Sequence, residues 1–330
     1  MFREADISAS LAPSVTTTRP SSLRAILACI HAALAILACC WMTPMQARAA
    51  DGQVLVLGRI SDDPKEHYEQ LKPLLDYVVP RLADVGIREG RILMARDAQQ
   101  MTSYLRRGRV DWVTETTAAA VLLQQRAGAE PLLLTERDGV SSYHTVYLVH
   151  RDSGITSLAD LRGRSIAFQN RSSTSAYYVP ATELLGLGLS MEILLSPMDR
   201  PASDSVGYVF ARSGLNISSW VHKRLVDAGA MSNLDWQDER KVPGSYRRDL
   251  VVIRESPPYP RALELVRKDL DPRVKQRLRE VLLQAAEDPD GREALLSFFR
   301  TTRFLPLDGD SAHSLEQLRR GVMQVVAELE

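Results

Sequence analysis

The stretch "VDWVTETTAAAVLLQQRAG", Val110 to Gly128, changes character once. Its first half is rich in β-branched and aromatic residues, as a strand requires. Its second half is a run of good helix formers closed by a glycine. A strand that hands directly to a helix is half of a β-α-β unit, so its neighbours decide the fold. Upstream, "QVLVLGRI" (Gln53 to Ile60) is followed by a helix that starts at Asp63-Pro64. "RILMARD" (Arg91 to Asp97) then leads into the helical "AQQMTSYLRRG". This order predicts a parallel α/β sheet with crossover helices.

Downstream, "HTVYLVHRD" (His144 to Asp152) and "LRGRSIAFQN" (Leu161 to Asn170) read as further strands, and "RDLVVIRE" (Arg248 to Glu255) as a late one before the rigid "SPPYP". The C-terminal part reads as helical. Asp271-Pro272 supplies a cap and a first-turn proline, with Val274, Leu278, Val281 and Leu282 at helical spacing. Asp288-Pro289 repeats the signal for a helix ending near Phe299. No internal repeat or low-complexity linker interrupts this pattern.

The first fifty residues differ from the rest. Arg19 and Arg24 precede "AILACIHAALAILACCWM" (Ala25 to Met42), and small residues follow at Ala47, Ala49 and Ala50. Basic, apolar and small-residue regions in that order predict a secretory signal peptide over residues 1–49 and a periplasmic mature chain. The apolar run is also long enough for a retained anchor, and "ILAC" offers a lipoprotein reading. Pro44 and the A-x-A site favour cleavage. All three cysteines, Cys29, Cys39 and Cys40, lie in this leader, so the mature chain has no thiol to misoxidise. The leader carries four arginines against one glutamate and one aspartate. The neutral 330-residue chain therefore matures with about two net negative charges, which gives no support to nucleic-acid binding through a basic face, and no nucleic-acid partner is expected.

Catalytic and metal signatures are absent. His67, His144, His150, His222 and His313 show no metal-ligand spacing, and neither a G-x-S-x-G elbow nor a phosphate-binding G-x-x-x-x-G-K-[ST] loop is present. No cofactor is expected. The one cluster with a binding character is "RSSTSAYY". Ser172, Ser173, Thr174 and Ser175 follow a strand and precede a helix expected to start near Ala176, whose free N–H groups would point at the same place. Such a turn offers uncharged donors to an anion at the carboxyl end of a strand. A single serine capping the helix, with the others solvated, is the alternative.

With these residues in view, the chain resembles the phosphate, phosphite and phosphonate-binding proteins of ABC importers, a transferrin-like class of periplasmic solute-binding proteins. The resemblance runs through "DDPKEHYEQLKPLLDYV" (62–78), "GRVDWVTETTAAAVLLQQRAGAEPLL" (108–133), "DGVSSYHTVYLVHRDSGITSLADLRGRSIAF" (138–168), "SSTSAYYVPATELL" (172–185), "SPPYP" (256–260) and "EDPDGREALLSFFRTTRFLPL" (287–307). It implies a type 2 periplasmic binding protein of two α/β lobes, each with a mostly parallel sheet, joined by two hinge strands. Residues 50–145 and 250–330 would form lobe one, and 146–249 lobe two. It further implies a monomer that clamps a small oxyanion for an ABC permease. A module sensing the same ligand for a histidine kinase, and an enzyme on the same lobes, are the competing classes.

By resemblance, Ser172 to Ser175 would donate to the ligand's phosphoryl oxygens. Thr114, Glu115 and Thr116 would stand in the lobe-one loop, and Asn233 near a position the family directs at its ligand. Glu115 would repel a dianion unless it accepts a hydrogen bond from a protonated ligand or pairs with a cation; Arg212 and Arg171 are the candidates for that cation, with two solvated arginines as the alternative. Tyr143 and His144 are expected in hinge packing, and Trp112 and Trp236 in the core. The chain departs from the family at Ala120, where an aromatic is common, at Ser213, Gly214 and Leu215, where a Ser-His-Asp turn is common, and at Arg261 and Ala262, where an acidic residue follows the prolines. Those family carboxylates help to hold an amino group, so their loss argues against an aminoalkylphosphonate.

Overall fold

The computed structural model describes residues 54–330, and the expected signal peptide lies outside them. Strand β1 (Val54–Ile60), helix α1 (Pro64–Val78), β2 (Glu89–Ala95), α2 (Ala98–Arg106), β3 (Trp112–Thr116), α3 (Thr117–Ala127) and β4 (Glu130–Arg137) follow one another as the alternation predicts. Aspartates set the helix starts. Asp63 accepts from the Glu66 N–H at 3.1 Å and Asp97 from that of Gln100 at 2.7 Å, each satisfying a donor that the first turn leaves free.

A two-residue strand, β5 (Ser142–Tyr143), comes next. The chain then builds a second sheet from β6 (Thr145–His150), β7 (Ser165–Phe168), β8 (Ser190–Ile193), β9 (Ser205–Phe210), β10 (Ala228–Ser232) and β11 (Leu250–Glu255). Helices α4 (Val179–Gly186), α5 (Gly214–His222) and the short α6 (Asn233–Gln237) lie between these strands. After β12 (Tyr259–Pro260) the chain rejoins the first sheet through β13 (Ala262–Val266). It continues with α7 (Pro272–Gln284), α8 (Pro289–Ser297), β14 (Thr301–Leu305) and the long α9 (Gly309–Leu329).

The first sheet has the order β14-β4-β13-β3-β1-β2, and the second β11-β6-β10-β7-β9-β8. In the first, β1 to β4 run one way and the late strands β13 and β14 run against them. In the second, only β6 opposes the other five strands. Between the sheets, β5 and β12 form a small antiparallel ribbon that pairs Tyr143 with Tyr259. Strand pairing therefore puts β6 and β11 in the second sheet. The expected boundary at 250 falls at the start of β11, and the chain leaves that sheet only beyond Glu255. The antiparallel partnership of β11 with β6 has no local signature, whereas the prolines after it do.

An apolar layer joins the two sheets. Ala118, Val121 and Leu122 of α3 pack in one core with Tyr147, Phe168 and Tyr177 of the second sheet's side, and α9 adds Leu318, Val322 and Val325. Each such side chain contributes roughly 1.5–3 kcal/mol on burial. α9 crosses α4 so closely that a Cβ on Gly321 would stand 2.4 Å from Thr182 Cγ2. Only glycine permits that approach. Among the described residues no helix is long and apolar enough to cross a membrane.

Candidate functional site

The hydroxyl loop leaves β7 at Phe168 and enters a wide turn, Thr174–Tyr178, before α4. The regular helix expected near Ala176 starts later. Ala176 has non-helical dihedrals, the Val179 N–H reaches back to the Thr174 carbonyl, and Pro180 at the start of α4 has no N–H to give. Each hydroxyl of the first three residues has a distinct partner. Ser172 donates through N–H and Oγ to Asn170 Oδ1 at 3.0 and 2.8 Å. Ser173 Oγ caps the turn by accepting from the Ala176 N–H at 3.1 Å. Thr174, 1% exposed, accepts from the Ala118 N–H at 3.0 Å.

Ala118 is the second residue of α3, so this hydrogen bond joins the start of a helix on the first sheet to the start of the turn on the second. Thr116 Oγ1 adds a long contact of 3.4 Å to the Ser172 carbonyl. Below the loop, Thr145 donates to the Ser175 carbonyl and shares a hydrogen bond with the Tyr259 hydroxyl, both at 2.8 Å. Tyr143 packs edge-on against Tyr259 at 4.9 Å. Burial raises the Tyr143 phenol above its ordinary value, while Ser175, Thr174 and Arg261 act the other way.

On the first sheet's side lies a group of arginines. Arg59, at the end of β1, and Arg137, at the end of β4, place their guanidinium carbons 4.2 and 4.8 Å from the centroid of one ring, Phe299. Arg59 donates to the Thr114 carbonyl at 3.1 Å, and Arg261 to the Arg137 carbonyl at 2.7 Å. Arg59 Nε and Arg137 Nε and Nη2 are buried without a hydrogen-bond partner. None of the three arginines forms an ion pair among the described residues. Burial first, and then Arg59, pull the Arg137 guanidinium down to about 9. The backbone under Phe299 is left-handed at Phe299 and Arg300, with φ of 53° and 56°, an uncommon conformation for such residues.

Two buried carboxylates stand close by, and neutral groups satisfy both. Glu264 accepts from Trp112 Nε1 at 2.6 Å and from Thr114 Oγ1 and Thr135 Oγ1, each at 2.8 Å. Glu115 Oε1 accepts from the Ile60 N–H at 2.6 Å. Burial raises both carboxyls above the ordinary glutamate range. For Glu115 the charge of Arg59 opposes it most, and for Glu264 the bond from Thr114 does.

The structure thus brings Thr116 together with the loop Ser172, Ser173, Thr174 and Ser175 and sets Thr114, Arg212 and Asn233 among other partners. Thr114 faces Glu264 inside the sheet. Asn233 accepts from the His144 N–H at 3.1 Å and braces the start of β6. Arg212 is exposed with φ of 70°, and Arg171 lies over the Phe210 ring at 5.4 Å. The cations acting on Glu115 are instead Arg59 and Arg137. In place of the Ser-His-Asp turn, Ser213 caps α5 through the Asn216 N–H at 3.1 Å. Reading the sequence missed Arg59 and Arg137. Their one signal is an arginine closing an apolar strand, in "VLVLGRI" and "EPLLLTER". Among the described residues no group of His, Cys, Asp or Glu is placed to hold a metal.

Two mixed α/β sheets, each flanked by helices, with a polar seam where the start of α3 meets the turn before α4, define a two-lobed solute-binding protein. Residues 58–312 match the family described as "ABC transporter, phosphonate, periplasmic substrate-binding protein", and the chain belongs to it. The family consists of periplasmic binding proteins that capture a substrate rather than transform it. The chain is similar to XAC2383 from Xanthomonas citri, solved with chloride at 57% identity and with ATP at 56%. Each comparison has a TM-score of 0.80 and covers 84% of this chain and 100% of that one. The methylphosphonate complex of PhnD1 from Prochlorococcus marinus shares the fold at 18% identity and TM-score 0.58, covering 83% of this chain and 99% of that one.

Proposed function

We propose that the protein is exported by a cleaved signal peptide and, as a monomer, clamps a small phosphonate, phosphite or phosphate-like oxyanion between its lobes for delivery to an ABC permease. The observation that carries this reading is the hydrogen bond between Ala118 N–H and Thr174 Oγ1. It brings the start of α3 and the wide turn that precedes α4 to a single point. The free N–H groups and positive dipole end of α3 favour an anion there without a bulky cation. Ser173, Thr174 and Ser175, with Ser172 beside them, are its donors on one side, and Thr116 with the α3 N–H groups on the other. An incoming oxyanion replaces Thr174 as the acceptor for Ala118. XAC2383 supports an anionic ligand, since chloride and ATP are both anions.

A ligand that binds only the folded state stabilises it by RT ln(1 + [L]/Kd), about 2.7 kcal/mol at a hundredfold excess over Kd. Phosphate, phosphite, methylphosphonate, an alkylsulfonate and sulfate at millimolar concentration are the panel for a thermal-shift measurement. At least one phosphorus oxyanion is expected to raise the melting temperature and sulfate to act less. No shift with any of them sinks the proposal.

A further inference from the structure

We propose that Arg59 and Arg137 form a second anion subsite, so that the ligand carries another anionic group besides the one held at the hydroxyl loop. This deepens the function just proposed and rests on it. The ligand class is a phosphonate or phosphate ester bearing a carboxylate or a further phosphoryl group.

An arginine kept for stability alone is ordinarily paired, because a buried charge without a partner is costly. Arg59 is 8% exposed, yet its Nε has no acceptor, and Arg137 has two such nitrogens. The carboxylates within reach are already engaged. Trp112, Thr114 and Thr135 donate to Glu264, and the Ile60 N–H donates to Glu115, so neither forms an ion pair with the arginines. Positive charge is left over at the carboxyl ends of β1 and β4, where α/β sheets gather ligands. Planar guanidinium groups match two oxygens of a carboxylate or phosphoryl group at once.

The backbone supports this placement. Phe299, whose ring both guanidinium groups approach, sits in two consecutive left-handed residues. The segment is pinned by the Asp138 N–H donating to the Arg300 carbonyl at 2.9 Å and by an Arg300–Asp138 ion pair at 2.6 Å. Such strain persists where the surroundings enforce it, commonly at ligand clamps. Arg261 connects this group with the surroundings of the hydroxyl loop: it donates to the Arg137 carbonyl, and its charge acts on Tyr143, which neighbours Ser175 and Thr174. A ligand that occupies both subsites would bring its second group to the arginines, where an ammonium in place of an anion would be repelled.

Isothermal titration with methylphosphonate, phosphonoacetate and 2-aminoethylphosphonate tests the idea. Phosphonoacetate is expected to bind at least about tenfold tighter than methylphosphonate, and 2-aminoethylphosphonate more weakly than either. Arg59→Gln and Arg137→Gln should each abolish the advantage of phosphonoacetate, while methylphosphonate affinity shifts by less than about threefold. Arg59→Lys, which keeps the charge and loses the planar fork, should retain part of the advantage. Equal affinity for the mono- and bis-anion, preference for the ammonium ligand, or an advantage unchanged in both glutamine variants would overturn the proposal. The wild-type ranking decides alone if a variant does not fold. Binding of methylphosphonate without any preference removes only the second subsite, whereas binding of none of the three removes the oxyanion clamp with it.

Discussion

The hydroxyl loop and the arginine group are built in opposite ways. The loop is local. Ser172, Ser173 and Thr174 follow one another, and their partners Asn170 and Ala176 lie within a few residues, Ala118 being the exception. The arginine group is assembled from afar: Arg59 from β1, Arg137 from β4, Arg261 from the approach to β13 and Phe299 from the turn before β14. A local device tolerates the loss of one member, because its neighbours and water can replace the lost bond. A device with long-range members depends on the sheet that holds it in register.

Glu264→Ala puts that difference to its hardest test. The variant leaves three buried donors, on Trp112, Thr114 and Thr135, without an acceptor, at about 1–3 kcal/mol each. It also removes a negative charge acting on Arg137. Urea unfolding should show a stability loss of about 3 kcal/mol or more. A loss below about 1 kcal/mol would mean that the first sheet repacks freely there, and the contrast with the loop would fall.

Thr174→Ala is the matching test on the local side. It removes one hydroxyl from the point where the start of α3 meets the turn before α4, and its main effect should be on binding. Affinity for the phosphorus oxyanion that stabilises the wild type most should weaken by roughly 1.5 to 3 kcal/mol, the range for a hydrogen bond to a charged group. Titration calorimetry measures this directly. An affinity equal to that of the wild type would reduce Thr174 to a structural brace for Ala118.

The same division explains what the sequence disclosed. The alternation around Val110–Gly128 and the Asp-Pro starts of α1, α7 and α8 depend on neighbours along the chain, so the α/β architecture was readable from them. The hydroxyl run was readable for the same reason. Arg59 and Arg137 were not, because an arginine at the end of an apolar strand has the same local sequence whether it meets solvent or a phenyl ring. Asn233 is a candidate by likeness to the family and Arg212 by the charge that Glu115 would need, and neither ground is a local pattern that fixes where the side chain goes. Arg212 turned outward through a left-handed residue, and Asn233 was drawn to the backbone of His144. The wide turn at Thr174–Tyr178 escaped notice as well, since Pro180 permits a late helix start without announcing one.

The smallest effect concerns Glu115, which lies between the two regions. Burial is the largest influence on its carboxyl and raises it above the ordinary value of 4.5, against the pull of Arg59 and of the Ile60 and Thr116 N–H groups. The folded protein therefore holds this proton more tightly than the unfolded chain does. Its contribution to stability is fully present below the unfolded value and is lost as pH rises through the folded one, with a slope of at most about 1.4 kcal/mol per pH unit. Glu115→Gln has nearly the same shape and does not titrate. The stability of the wild type minus that of the variant should fall as pH is raised from about 4.5, a difference that urea unfolding across a pH series would resolve. Parallel pH profiles would show Glu115 ionised alike in both states. Its charge would then be matched by Arg59 in the folded protein, leaving Arg137 as the cation with charge to offer a ligand.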